Sequence, residues 1–293
     1  MEIIIKKIEE IKKWIDINKT LPDFSDNNDY MRFAVEIGNH VRYLMLVAAS
    51  LRSENQRGYN KEDAVIAGLF VRLCKLYDTL CFNVARNQGE IVKIFIRLIF
   101  ETSIKIEYLI SSGRESIESF VFVSYKAIKE IYEDLQGKKK TRELIGIENR
   151  ILFNIEQQFK EDDIDIDTLL KNRNWKLDGK TFKEILNDMD IQIMYSYIFS
   201  RGSSYVHGDW LDLRANHLVY ENGMYLPQLE HDRVDPRYIS PMSVACLRAL
   251  CKFLEWNKSD PDEFIISTSK DLETLLRKFD ADHEEALQKD NYL

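Results

Sequence analysis

The segment of residues 89–111 constrains the fold of this chain most strongly, because apolar side chains surround its helical axis almost completely. A helix of this kind lies inside a larger helical assembly rather than on its surface. Glycine and proline, which interrupt helices, number 11 and 5 among the 293 residues, roughly half of their usual frequency. This scarcity favours long helices in the rest of the chain as well.

Apolar residues recur at helical spacing along most of the sequence, and polar or glycine-containing breaks separate these stretches. The pattern predicts helices at residues 2–18, 28–53, 61–85, 89–111, 116–136, 139–159, 180–189, 190–206, 240–256 and 259–279, with a polar tail from residue 280. Most of these segments are long enough to pack against one another as a bundle.

Asn222-Gly223 lies between two short apolar runs, and this dipeptide is a strong hairpin signal because both residues tolerate positive φ angles. We therefore expect an all-α helical bundle with a small β-hairpin insertion near residues 217–227. The breaks divide the chain into an N-terminal helix and linker at 1–27, a main helical domain at 28–258, and a C-terminal helix with a polar tail at 259–293.

The net charge of −8 and the isoelectric point near 5.3 argue against a protein that binds nucleic acid or an anionic membrane over its whole surface. No apolar run approaches the ~20 residues that a membrane-spanning helix needs. The cysteines lack the two-residue spacing of zinc or redox motifs, so buried thiols in a reducing compartment are expected. These features predict a cytoplasmic protein that does not bind a membrane.

Within residues 89–111, the charged side chains Lys93, Arg97, Glu101 and Lys105 follow one another at intervals of four and form one line on a helix. One interpretation is a narrow solvent-facing stripe with a weak Arg97–Glu101 pair, worth about 0.3 kcal/mol. The other is a line of cleft-lining charges held by partners from another helix, since an unpaired buried charge is very costly. Both interpretations agree with the sequence.

A second informative segment ends at His207, which is followed by Gly208 and preceded by serines, tyrosines and other small or aromatic residues. A histidine before glycine is typical of a helix C-terminus, where the helix dipole favours the protonated imidazole. His207 is therefore suited to donate a proton or to bind an anion. Ser203 and Ser204 precede it by four and three residues and share its helical face.

Two other kinds of site can be compared with this segment. A Ser–His nucleophile pair would need an oxyanion hole and a third orienting group, and the local sequence supplies neither. The nearby acidic and histidine residues match no known spacing of metal ligands; they are Asp209, Asp212, His217, His231 and Asp232. The sequence therefore predicts no metal site and no cofactor.

Several stretches together resemble a known family; they are residues 97–101, Trp175, residues 180–185, Tyr195 and residues 204–207. Over about residues 35–210 the chain resembles the helical bacterial family called domain of unknown function 5677. This resemblance implies an all-α fold and no characterised activity. Arg97, Glu101 and His207 match the polar pattern of that family, which implies that these side chains belong together.

Arg201 together with His207 is similar to the Arg and His pair of the HEPN ribonucleases, which are small helical dimers of toxin and phage-defence systems. In that family the arginine neutralises the scissile phosphate and the histidine transfers protons, so no metal is needed. The chain departs from the family at Gly202, where the residue after the arginine is usually polar. The six-residue step also turns about 240° around an ideal helix, so the side chains diverge unless the helix ends between them or a second subunit completes the site.

Two functions follow as hypotheses. The first is a metal-independent ribonuclease of a bacterial toxin or phage-defence system, acting on RNA as a homodimer. Its site would contain His207 as general acid/base, Arg201 and Arg97 as phosphate-binding groups, Glu101 as an orienting carboxylate, and Ser203 or Ser204 as a hydrogen-bonding group. The second is a non-catalytic helical module that binds a partner protein or a small anionic ligand, with the same arginines and glutamate making structural contacts.

Overall fold

In the computed structural model, which describes residues 2–52, 58–260 and 262–289, helices account for most of the chain. The β-structure within these ranges is one antiparallel pair of strands. The prediction of an all-α fold with a small β-hairpin is therefore confirmed. None of the helices in these ranges combines the length and the apolar character needed to cross a lipid bilayer.

The elements follow one another in chain order. The α-helices are α1 (Glu2–Ile17), α2 (Asn27–Ser50), α3 (Lys61–Ala85), α4 (Gly89–Ser112), α5 (Arg114–Ser124), α6 (Lys126–Thr141), α7 (Gly146–Glu161), α8 (Ile166–Lys171), α9 (Phe182–Asp188), α10 (Arg201–His207), α11 (Trp210–Asn216), α12 (Ser240–Asn257) and α13 (Phe264–Lys289). The strands are β1 (Leu218–Glu221) and β2 (Met224–Pro227). A π-helix at Tyr195–Ser200 runs directly into α10, and a 3₁₀ turn at Pro236–Tyr238 precedes α12. The helix predicted at 28–53 ends at Ser50, and Ser53 lies outside the described residues.

The chain forms two compact units. The first contains Met1–Ser111 and Met189–Leu293, and the second contains Ser112–Asp188. The units are defined by contacts between residues in space, so two parts of the chain that are distant in sequence belong to the first unit. The division at 1–27, 28–258 and 259–293 follows breaks along the sequence and stays a prediction.

In the first unit, α2, α3, α12 and α13 pack around a common apolar core, and α1 packs against α13 and α2. Phe70 of α3 stacks on Phe253 of α12, with their ring centres 4.2 Å apart. The Tyr77 hydroxyl lies 2.6 Å from that of Ser243, so a buried polar contact also joins these two helices. α3 begins where the sequence predicts, because the Asn60 side chain caps its first turn.

The second unit has its own apolar core in α6, α7 and α8. Its buried residues are Tyr125, Leu135, Leu152, Ile155, Phe159 and Leu169. The prediction of a single helix at 116–136 is wrong, because the chain turns inward at Tyr125 between α5 and α6. The Tyr125 ring packs on Phe159 at 5.6 Å between centres, and its hydroxyl donates a hydrogen bond to Asp162. α6 then continues through the predicted break at Gly137 to Thr141.

α13 is longer than predicted, and the expected polar tail from residue 280 is wrong as far as Lys289. The additional turns pack against α2. His283 is buried with its ring centre 4.6 Å from that of Tyr30, and the Tyr30 hydroxyl donates a 2.8 Å hydrogen bond to Asp282. These long-range contacts stabilise a helical end whose local sequence is mostly polar.

The hairpin has the predicted turn. β1 and β2 pair with Leu218 opposite Pro227 and Glu221 opposite Met224. Asn222 and Gly223 have φ angles of 52° and 84°, both in the left-handed region that a two-residue turn of this type requires.

Candidate functional site

The segment predicted as one α-helix at 190–206 contains a π-helix at Tyr195–Ser200 followed by α10. A π-helix closes its hydrogen bonds over five residues and is frequent at functional sites. Two rows of side chains run along this segment at intervals of four residues. The first row contains Phe199, Ser203 and His207, and we call it the Arg97 row because its first two members contact Arg97 of α4. The second contains Tyr197, Arg201 and Tyr205, and we call it the cavity row because all three residues line a cavity.

Arg97 of α4 contacts the first two members of the Arg97 row. Its guanidinium lies over the Phe199 ring, 4.2 Å from the ring centre, and donates a hydrogen bond to the Ser203 hydroxyl. Gly202 lets the two helices approach, since a Cβ atom at this position would lie only 2.7 Å from the Cβ of Arg97. Arg97 is therefore held by groups from another helix, as the second interpretation of the charged line requires.

Lys93, one turn earlier on α4, is buried. Its ammonium donates hydrogen bonds to Asn216 Oδ1 at 2.6 Å and to Asp232 Oδ2 at 2.8 Å. The rings of Tyr205 and Tyr238 have their centres 5.7 and 5.9 Å from the same nitrogen. Burial lowers the pKa of Lys93, but the Asp232 hydrogen bond and nearby groups outweigh it, so the pKa lies above its ordinary value.

Farther along the same line, Glu101 pairs with Lys105. Its Oε1 accepts a 2.6 Å hydrogen bond from the Lys105 ammonium, and both side chains are partly exposed. Among the described residues, Glu101 makes no ion pair with Arg97. The line thus changes character along α4: its first two charges meet partners from other elements, and its last two pair with each other.

A cavity of about 360 Å³ lies beside the cavity row. Its walls combine cations and phenols, namely Lys93, Arg201, Arg237, Tyr197, Tyr205 and Tyr238. Apolar groups complete the walls and include Ile96, Ile198, Pro241 and Met242. α4, the π-helix, α10, the 3₁₀ turn and the start of α12 all contribute, so the fold brings three separate segments of the sequence to one place.

The three cations of these walls differ in their partners. Lys93 shares its charge with Asp232, and Arg237 binds Asp235 through two hydrogen bonds of 2.9 and 2.8 Å. The Arg201 side chain is exposed and makes no hydrogen bond or ion pair with any residue that the structure describes. Arg201 is therefore the wall cation whose charge no described carboxylate neutralises.

His207 ends α10, as the sequence predicts. Gly208 follows with a φ of 62° and closes the helix with a hydrogen bond from its backbone N–H to the Ser204 carbonyl. His207 is exposed and is not among the wall residues of the cavity. It continues the Arg97 row one turn beyond Ser203, while the Ser204 hydroxyl hydrogen-bonds Asp209 and lowers the pKa of that carboxyl.

The residues compared with metal ligands make other contacts. Asp212 accepts a 2.7 Å hydrogen bond from Asn216 and lies 3.6 Å from His217, while Asp232 binds Lys93. In the described part of the chain, no group of three His, Cys, Asp or Glu side chains is placed to hold a metal ion.

The segment before the 3₁₀ turn is fastened to the start of α4. Glu90 accepts hydrogen bonds from His231 Nδ1 and from the Asp232 backbone N–H, the latter at 3.0 Å. Burial raises the pKa of Glu90, but these hydrogen bonds outweigh it and hold the pKa below its ordinary value. A Cβ atom at Gly89 would lie 2.8 Å from the Asp232 carbonyl oxygen, so the two backbones are in close contact.

Sequence reasoning missed several residues of this site. In the sequence, Lys93 is only one charge of a line, and Arg237 and Tyr238 lie in a stretch without a periodic pattern. The cavity row did carry a signal, because Tyr197, Arg201 and Tyr205 are spaced by four and place one arginine between two aromatic residues on a helical face.

Comparison with known families finds a match over residues 63–225 to a model described as "Family of unknown function (DUF5677)". The match covers more than half of the 293 residues and includes α4 and α10. Comparisons with curated proteins and with solved structures found no match. With its charged α4 line and its α10 rows inside the matched region, the chain belongs to the family of unknown function DUF5677.

Proposed function

We propose that this protein binds a small phosphate-bearing anion in the cavity beside α10. The observation that carries the proposal is Arg201, which lines the cavity without a hydrogen bond or ion pair to any described residue. Lys93 and Arg237 lie in the same walls. A guanidinium offers paired N–H donors that match phosphate oxygens, so Arg201 would take the anion directly.

The surroundings of Arg201 favour an anion further. Burial raises the pKa of Tyr238, so its phenol stays protonated at neutral pH and can donate a hydrogen bond to an oxyanion. The cavity volume of about 360 Å³ falls in the lower part of the range of small-molecule sites, roughly 300–1,000 Å³. A small ligand therefore fits this site better than a folded partner does.

The test is a calorimetric titration with inorganic phosphate and with pyrophosphate at low ionic strength. We expect Arg201→Gln to weaken binding about 10- to 100-fold, the range for losing a hydrogen bond to a charged group. Arg214→Gln is the matched control, because Arg214 is an exposed arginine on α11 outside the cavity walls. Absence of saturable binding by the wild type, or an equal loss in both variants, would refute the proposal.

RNA cleavage is a second candidate function, supported by the accessibility of both members of the Arg201 and His207 pair. The 2′-hydroxyl would attack the adjacent phosphorus and pass its proton to water, the bond to the 5′-oxygen would break, and His207 would give a proton to the leaving oxygen. Arg201 would neutralise the phosphate oxygens. The six-residue step turns about 240° around an ideal helix, which leaves the two side chains about 120° apart, so a second copy would complete the site in a homodimer.

In this second function the protein would act in the cytoplasm as part of a bacterial toxin or phage-defence system. Arg97, Ser203, Ser204 and Glu101 would support the position of α10. The test compares His207→Ala with the matched control His217→Ala for degradation of total RNA and for growth inhibition on expression. Loss of both effects in His207→Ala alone, with an unchanged circular dichroism spectrum, supports cleavage, whereas equal behaviour of the two variants contradicts it.

A further inference from the structure

The cavity row places the aromatic ring of Tyr197 one helical turn before Arg201, and neither side chain has a hydrogen-bonding partner in the described part of the chain. Tyr197 is 70% exposed and makes no ring contact or hydrogen bond with any residue that the structure describes. It nevertheless belongs to the cavity walls, four residues before Arg201. A flat aromatic surface at the mouth of a basic cavity is available to a planar group of a ligand.

The remaining walls also exceed what an inorganic anion requires. Ile96, Ile198, Pro241 and Met242 line the cavity together with the phenols. A phosphate ion alone would leave these apolar groups in contact with water, whereas a ligand with an apolar or aromatic part would cover them. The walls therefore combine recognition of a charged end with recognition of a flat, less polar end.

We infer that the cavity takes a free nucleoside monophosphate, with its phosphate at Arg201 and its base stacked on Tyr197. This inference rests on the proposed binding of phosphate and adds the chemical class of the ligand. Stacking on an aromatic side chain suits any base, because every base has a π-face. Side chains four residues apart on a helix lie roughly 5–6 Å from each other at their Cβ atoms, so one ligand with a phosphate and a ring can contact both.

The cation at the inner end of the cavity has a defined part in this arrangement. Lys93 is flanked by the rings of Tyr205 and Tyr238 at 5.7 and 5.9 Å and is already bound by Asp232. Asp232 offsets the charge of Lys93, so Arg201 supplies the direct hydrogen bonds to the phosphate. The net charge of −8 disfavours a long nucleic acid chain on the surrounding surface, which is why a free nucleotide is favoured over an RNA strand.

The experiment titrates the full-length protein with adenosine monophosphate, uridine monophosphate, ribose 5-phosphate and inorganic phosphate. We expect both nucleotides to bind at least about tenfold more tightly than ribose 5-phosphate, because only they carry a base that can stack. Tyr197→Ala should weaken nucleotide binding about 5- to 100-fold, which is the range for removing a stacking partner. It should leave ribose 5-phosphate binding within about twofold, and Tyr197→Phe should retain nucleotide affinity.

Tyr220→Ala is the matched control, because Tyr220 is a 62% exposed tyrosine of β1 outside the cavity walls. Circular dichroism checks the folding of each variant. Because the Tyr197 side chain is exposed, its replacement should leave the fold unchanged. Equal affinity for ribose 5-phosphate and the nucleotides would overturn base recognition and leave phosphate binding standing. Binding of a short oligoribonucleotide without binding of either nucleotide would also overturn the inference, and failure of every phosphate compound would refute the proposed function itself.

Discussion

The Arg97 guanidinium donates a hydrogen bond to the Ser203 hydroxyl, and this contact fixes the rotation of α10 about its own axis. Phe199 and Gly202 contact the same arginine, so one side of the π-helix and α10 packs against α4. Because a helix is rigid over two turns, the cavity row on its other side is fixed as well. The position of Arg201 in the cavity thus depends on the contact between Arg97 and Ser203.

Gly202→Ala should separate α10 from α4. Its new methyl group would lie 2.7 Å from the Cβ of Arg97, which lies close to the α4 backbone and cannot swing away. We expect the unfolding free energy to fall by about 1–3 kcal/mol, the usual cost of overpacking. Gly68→Ala is the matched control, because Gly68 is an exposed residue inside α3 with no neighbouring atom within 4 Å. This control should gain up to about 1 kcal/mol from helix propensity, as urea unfolding of both variants would measure; equal stabilities would contradict close packing at Gly202.

Lys93→Met should destabilise the first unit. The methionine fills similar space but leaves Asn216 Oδ1 and Asp232 without the hydrogen bonds that they receive from the ammonium. We expect a loss of about 1–3 kcal/mol, as for a buried acceptor without a donor. Lys105→Met on the same helix removes only the partly exposed pair with Glu101, which is worth less than about 1 kcal/mol. Thermal unfolding compares the two, and similar midpoints would show that the Lys93 contacts add no stability.

Stability should fall in mild acid through His40. Burial, together with the charge of Lys7, lowers the pKa of His40 from 6.5 to about 4, and the ring packs 4.6 Å from that of Trp14. Between these two values the unfolded chain binds a proton that the folded chain does not, so the unfolding free energy decreases as the pH falls through this window. The full contribution is at most about 3 kcal/mol.

The measurement for His40 is urea unfolding at about pH 7 and about pH 4.5. His40→Phe keeps a ring against Trp14 and removes the titrating group. Its loss of stability between the two pH values should be smaller than that of the wild type by about 1–3 kcal/mol. Identical losses would mean that the proton uptake of His40 is the same in both states.

Gly208→Ala should weaken the end of α10 through its backbone alone. Gly208 has a φ of 62°, and no neighbouring atom lies within 4 Å of the position that an added methyl group would take. The cost is therefore the left-handed conformation itself, about 1–2 kcal/mol. Gly208→Asn should cost less, because asparagine adopts this conformation more readily. The order of thermal midpoints should be wild type, then Asn, then Ala, and an alanine variant as stable as the wild type would exclude a strained cap.

The sequence predicted the helices best where their bounds depend on residues within or next to the helix. α3 has the predicted bounds and α4 extends only one residue further, because apolar periodicity runs through each segment and, for α3, the capping residue Asn60 directly precedes it. The turn at Tyr125 and the last turns of α13 depend instead on distant partners, Asp162 and Tyr30. Such tertiary contacts outweigh local preference and leave no periodic trace.

The candidate site was predictable only in part, for the same reason. The charged α4 line and the end of α10 at His207 follow from spacing and from Gly208, but the contact of Arg97 with Ser203 joins residues 106 positions apart. Asn216 and Asp232 reach Lys93 across still longer stretches of chain. Their types and neighbours in the sequence give no indication of this meeting.

The π-helix before α10 determines where the chain can change in length. Each residue of an α-helix turns the backbone by about 100°, so deleting Phe199 or Ser200, which lie between Tyr197 and Arg201, would turn Tyr197 out of line with Arg201. Adding one would have the opposite effect. Insertions and deletions should therefore be tolerated in the exposed turn at Asn222 and Gly223, but a single one at Phe199 or Ser200 would dismantle the cavity while leaving every wall residue present in the sequence.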